Sequence, residues 1–122
     1  MIEVIQIDAN RTERYSDPRL TVDFRTKTVT LDLKPVELTK MEFRLLALLA
    51  ENAGEVVPRA SLLRDVWGYG PGICTRTLDV HVRRLRAKLG DYSRQHIETI
   101  FSVGYRLQPY RGFARLPNVA SA

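Results

Sequence analysis

The chain has 122 residues, a formal net charge of +5, 27% charged residues and a single cysteine, Cys74. That is one domain's worth of chain plus tails, too short for a second core of normal size. One cysteine excludes an intrachain disulfide, no stretch approaches bilayer-spanning length, and Met1-Ile2-Glu3-Val4-Ile5-Gln6-Ile7 lacks the basic start of a secretion signal, so a mature cytoplasmic protein is expected.

Residues 1–18 read as a leader or linker, with a strand expected in the apolar run Ile2 to Ile7 before the polar string from Asp8 to Arg14. From Arg19 the pattern alternates with period two: Leu20 to Phe24, a polar turn at Arg25-Thr26-Lys27, Thr28 to Leu31, and a last short run Val36-Glu37-Leu38. Such spacing predicts a small antiparallel meander. Thr39 and Glu42 stand in capping-box register, which starts a leucine-rich helix running to about Asn52 and stopped by Gly54. Pro58 suits the first turn of a second helix, Arg59 to Trp67, that buries Leu62, Leu63 and Val66 and ends at Gly68. Three glycines and a proline within residues 68–74 make the next segment a loop.

Residues 75–89 are the most informative stretch. Leu78, Val82, Leu85 and Leu89 fall on one stripe at helical period, while Arg76, Thr77, Val80, Arg83 and Arg84 lie opposite. Thr75 is placed to cap the helix and Gly90 to end it at positive φ. This element carries Arg76, Arg83, Arg84, Arg86 and Lys88 against Asp79 alone, so most of the chain's basic excess is concentrated on one element. Clustered cations favour a polyanion, whose condensed counterions are released on binding. A membrane surface fits less well, because the apolar stripe has the width of a core contact. Lys88, late in the helix, reads as a solvated charge. Beyond Gly90, residues 97–101 and 105–107 about a turn at 102–104 read as a hairpin, and Pro109 onward as a frayed tail.

No catalytic or cofactor signature appears. His81 and Cys74 lack the paired spacing of a metal site, no nucleophile stands with a base, and Gly70-Pro71-Gly72 has neither the lysine nor the following helix of a phosphate loop.

Sheet, helix, helix, loop, basic helix and hairpin together describe an α+β winged helix-turn-helix. From Arg19 to Leu107 the chain resembles the DNA-binding effector domain of OmpR/PhoB-type response regulators of two-component systems. The matching stretches are Leu38-Thr39 with Glu42-Phe43, Val66-Trp67-Gly68, residues 76–86 and Gly104-Tyr105-Arg106. The resemblance implies a winged-helix domain over 19–108 and a tail over 109–122. It implies a bacterial transcription regulator with no enzymatic activity and no cofactor, whose third helix enters the major groove. It puts Thr77, Asp79, Val80 and Arg84 at base edges, with Arg84 suited to guanine O6 and N7 and Asp79 either accepting from cytosine or orienting an arginine. Trp67, Arg76, His81, Arg83, Arg86, Thr99 and Tyr105 map to phosphate contacts, which set register and affinity. Relatives pair head to tail on direct repeats, and the loop Tyr69, Gly70, Pro71, Gly72, Ile73 falls where they meet RNA polymerase, so its sigma or alpha subunit is the implied second partner.

The sequence departs from the family at the wing, where Phe101 and Ser102 replace an arginine and glycine. Phenylalanine cannot supply the charge that a narrow minor groove attracts. Three fates remain for it, packing inward, touching sugars or wedging at a base step, and inward packing is the expectation. Residues 1–18 are also too few for a receiver domain, so the chain reads as an excised effector domain or, with its native Met1, as a receiver-less regulator. The alternative function is a winged-helix module that binds polymerase or another regulator, with DNA contact secondary. RNA fits less well, since the A-form major groove is too narrow for the helix.

Overall fold

The computed structural model describes residues 13–110. Four short strands come first: β1 (Arg14–Ser16), β2 (Leu20–Asp23), β3 (Thr28–Leu31) and β4 (Lys34–Pro35), in an antiparallel sheet of that order. Alternation puts Leu20, Val22 and Val29 on the inner face, fully or almost fully buried. The sheet therefore begins inside the expected leader, and its last strand is Lys34–Pro35, earlier than the expected Val36 to Leu38. Pro35 is tolerated because β4 is an edge strand, where a missing N–H breaks no ladder. The strand expected between Ile2 and Ile7 lies outside the described residues.

Helix α1 (Lys40–Glu51) starts at the expected capping box: the Thr39 hydroxyl accepts from the Glu42 N–H at 3.2 Å and Glu42 accepts from the Thr39 N–H at 2.9 Å. Its end is tied to the far sheet, since the Gly54 N–H donates to Leu107 C=O at 2.8 Å. Strand β5 (Val57–Pro58), invisible in the sequence pattern, precedes α2 (Arg59–Leu62), which widens into a π turn over Leu63–Trp67 and stops at Gly68 with φ of 78°. Pro58 is thus the residue before α2, in an edge strand, and not its first turn.

Helix α3 (Thr77–Leu89) buries Leu78, Val82, Leu85 and Leu89 as the helical period requires. It starts two residues later than expected. The Thr75 hydroxyl still accepts from the Thr77 N–H at 3.1 Å, but as a turn ahead of the helix, with Arg76 at the boundary. Gly90 (φ 60°) then turns the chain directly into α4 (Asp91–His96), which the apolar pattern gives no sign of. Strands β6 (Ile97–Ile100) and β7 (Gly104–Leu107) form the hairpin, and β5 completes a three-stranded sheet in the order β5-β7-β6. The core joins both sheets' inner faces to α1 and α3, with Tyr92 of α4 among its fully buried side chains.

Two polar centres reinforce this core. Asp17 accepts from the hydroxyls of Tyr15 and Tyr92 and from the N–H groups of Arg19, Leu20 and Tyr110, joining the first sheet to α4 and to the residues after β7. Tyr110 therefore packs on the body, inside the expected tail. The second centre corrects the reading of Lys88, whose Nζ lies 2.6 Å from Glu42, a carboxylate only 2% exposed. Burial alone would raise the Glu42 carboxyl, but Lys88 and the Thr39 N–H outweigh it and hold it below its ordinary value of 4.5. A depressed carboxyl stabilises the fold above its unfolded pKa and loses that contribution as pH falls through the folded one. Lys88→Ala should cost roughly 1–3 kcal/mol at neutral pH, as expected for an unpaired buried carboxylate, and the gap to the wild type should narrow as pH falls and Glu42 is protonated in both proteins. Urea unfolding repeated from pH 7 to pH 3 measures both.

Candidate nucleic-acid interface

The outward face of α3 presents Arg76, Arg83 and Arg84 as exposed side chains, with Thr77, Val80 and His81 partly exposed beside them. Among the described residues these three arginines make no ion pair. His81 is oriented from two sides. Its Nδ1–H donates to the Thr77 carbonyl at 2.8 Å, and its ring meets Trp67 edge-on with centroids 4.9 Å apart. Trp67 is itself half-buried against the core, so its ring is structural as well as available at one edge.

Other residues assigned to DNA by the sequence are engaged within the protein. Asp79 accepts from both terminal nitrogens of Arg59, at 2.7 and 3.3 Å, and from the Tyr105 hydroxyl at 2.8 Å. The arginine it holds comes from α2. The hydrogen bond from Arg59 holds the Asp79 carboxyl below its usual range, so the group is ionised, whereas burial and Asp79 push the Tyr105 hydroxyl up. Arg59 has no sequence-level mark: it opens α2, twenty positions from its partner. Tyr105 is only 6% exposed and its hydroxyl is spent on Asp79, which leaves little of it for a phosphate.

Arg86 is a second tie between α3 and the wing. Its Nη2 donates to the Ile97 carbonyl at 2.8 Å and to the Thr99 hydroxyl at 2.7 Å, and its guanidinium lies 5.8 Å from the centre of the Tyr105 ring. Both bonds leave from Nη2, so Nε and Nη1 remain as donors. A trough of about 870 Å³ runs between α3, α4 and the outer face of β6, lined by Arg83, Arg86, Arg94, Thr99 and Ile100 among others. Its carboxylate, Glu98, is neutralised by Arg106 at 2.6 Å. Arg94 comes from the unexpected α4 and belongs to this basic surface.

The wing corrects one expectation outright. Phe101 does not pack inward; it is 88% exposed at the tip. The turn decides this: the Val103 N–H closes it on Ile100 C=O at 2.9 Å, Ser102 adopts φ of 65°, and the Arg59 N–H holds Val103 C=O at 3.0 Å. Loop residues Tyr69 to Ile73 lie before α3, with Ile73 51% exposed. No helix among the described residues is long and apolar enough to cross a membrane.

Two sheets, a helix-turn-helix core and a β-hairpin wing fixed beside a basic third helix define a winged-helix effector domain of the OmpR/PhoB type. The family described as "Transcriptional regulatory protein, C terminal" matches residues 33–107, and the chain belongs to it. Among curated proteins, the response regulator ArlR of Staphylococcus aureus is 45% identical over 87 residues, 70% of this chain and 40% of that protein. The chain thus spans about two fifths of the length of such relatives. Among solved structures, the DNA-binding domain of Klebsiella pneumoniae RstA, in complex with the RstA box, superposes with a TM-score of 0.74 at 32% identity, over 80% of this chain and 99% of that one. The DNA-binding domain of Escherichia coli CpxR gives 0.70 at 31% identity, over 79% and 96% of the two chains. Thermotoga maritima DrrB, an OmpR/PhoB homologue, gives 0.71 at 32% identity, over 87% and 52%.

Removing Arg86 should disturb the domain itself. Arg86→Ala leaves the Ile97 carbonyl without its side-chain donor and should cost roughly 1–2 kcal/mol of stability. Amide exchange in β6 should speed up at the same time. Denaturant unfolding and hydrogen exchange on the free protein check this.

Proposed function

We propose that this chain binds double-stranded DNA sequence-specifically as part of a transcription regulator, with α3 in the major groove. One observation carries the reading: on a helix whose other polar groups are tied inside the domain, Arg76, Arg83 and Arg84 are exposed and unpaired among the described residues. Holding like charges outward on one face is unfavourable in isolation and becomes favourable against a polyanion. The relatives support the same use, since the RstA domain is described in complex with its box.

Arg84, Val80 and Thr77 are the base readers in this proposal. Arg84 bonds guanine O6 and N7 together, while Val80 and the Thr77 methyl meet thymine methyls. Asp79 is withdrawn from that set and acts by fixing Arg59 and the wing. Arg76, Arg83 and His81 take phosphates from the helix, with the indole edge of Trp67 beside them. Arg86 uses its remaining donors on a phosphate lying in the trough, where Thr99 and Arg94 also face, and Tyr105 contributes by holding the junction. A head-to-tail pair on direct repeats, which the family resemblance implies, is part of the same proposal. A further partner, the sigma or alpha subunit of RNA polymerase, suits the loop Tyr69 to Ile73, where Ile73 offers an exposed apolar side chain.

Selection from a pool of random duplexes, repeated across salt concentrations, tests the reading. An enriched direct repeat and a steep salt dependence are expected; neither appearing would favour a protein-interaction module instead. On the recovered duplex, Arg84→Ala should lose roughly 1–3 kcal/mol and relax one base pair, while Arg83→Ala should weaken all sequences alike and reduce the salt slope by about 1. Equal loss for Arg84→Ala on cognate and scrambled duplexes would remove Arg84 from the base readers.

A further inference from the structure

We infer that the wing tip is an apolar wedge for the minor groove, with Phe101 inserted at a base step. The inference rests on the DNA-binding reading above and adds a second, charge-free mode of recognition to it. Phe101 is 88% exposed and Val103 48%, and the run Ile100-Phe101-Ser102-Val103-Gly104 contains no charged residue. The tip is not a loose end. It is closed by the Val103 to Ile100 bond and tied to α2 by Arg59, so the ring is carried outward by an ordered turn.

Its position follows from the trough. Arg83, Arg86, Thr99 and Ile100 line a concave strip between α3 and the outer face of β6, a fit for one sugar–phosphate strand. With α3 in the major groove on one side of that strand, duplex geometry makes the groove on its other side the minor one. Phe101 directly follows Ile100 at that side. The minor-groove floor presents acceptors, A N3 and T O2, and a phenyl ring has no donor for them. Lying on the floor, it would strip them of water with nothing in return. Between two base pairs it replaces lost base stacking with base–ring contact, the device of apolar wedges that kink DNA. Pyrimidine–purine steps unstack at least cost, so the tip reads deformability at a flank that α3 never touches. A protein partner fits this surface less well, because the tip stands at the mouth of an arginine-lined trough.

The test uses the full chain and the duplex recovered by selection, with 2-aminopurine placed in turn at the steps flanking the α3 site and fluorophores at the duplex ends. Wild-type protein should raise 2-aminopurine emission several-fold at one step and shorten the end-to-end distance. F101A should lose both effects and roughly tenfold or more in affinity, the scale of one unburied aromatic side chain, with an unchanged unfolding midpoint because the ring touches no core. F101W should keep both, and the selected flank should be rich in TA or CA/TG steps. Tight wild-type binding without unstacking, or unstacking that survives in F101A, overturns the wedge and leaves α3 recognition standing. Wild-type protein that binds no member of the pool overturns the DNA-binding reading itself.

Discussion

Asp79 lies where α2, α3 and the wing meet, and its carboxylate joins all three. Arg59 reaches it from α2 and Tyr105 from β7, while Arg86, two turns further along α3, grips β6 through Ile97 and Thr99. One tie would let the hairpin pivot about a point; two ties seven residues apart fix its angle to the helix. The Arg59–Asp79 pair is too exposed, 38% and 41%, to count for much stability. What it fixes is geometry. On the proposed reading, a helix in one groove and a hairpin over the next phosphate strand must be one rigid body, or the entropy of aligning them on DNA is lost at each binding event.

This arrangement divides the basic residues of α3 into two sets. Lys88 neutralises Glu42, which at the same time caps α1, so a single carboxylate joins the start of one helix to the end of another. Arg86 is partly spent on the wing. Arg76, Arg83 and Arg84 are left for the outside. The charge pattern of the sequence therefore overstates the number of cations free for DNA, and the overstatement has a physical origin: an amphipathic helix needs its flanking polar residues to satisfy neighbours as well as solvent.

The same distinction explains what was legible in the sequence. The α3 stripe, the capping box at Thr39 and the stop at Gly68 are local, written in residues within one or two turns of each other, and they stand where expected. Helix α4 was not legible because its six residues bury a single aromatic, Tyr92, beside two polar side chains: Ser93 donates to the carbonyls of Arg86 and Gly90, and His96 donates to Gln108 C=O, so no apolar period marks it. Strand β5 was hidden by Pro58, which reads as a helix start until β7 pairs with it. Arg59 carried no mark and Lys88 read as a solvated charge because their partners lie 20 and 46 positions away, distances at which sequence pattern is silent. Phe101 misled for another reason. An aromatic residue is ordinarily buried, but residue type does not aim a side chain; the positive-φ turn at Ser102 does.

The wing shows how backbone and tip chemistry separate. A Cβ on Gly104 would come within 2.0 Å of the Val57 carbonyl, so the close seating of β7 on β5 needs a glycine there. That seating, with the Arg59 bond to Val103, sets the hairpin's height from below, while nothing in the core touches the ring of Phe101. The tip side chain is therefore under no packing constraint. A cation there would read groove width through electrostatic potential, which salt screens; a phenyl ring reads the ease of unstacking, which salt barely alters. Recognition by α3 should then weaken steeply with ionic strength while the contribution of the wing persists, so this chain's discrimination at the flank grows in relative weight as the phosphate contacts fade.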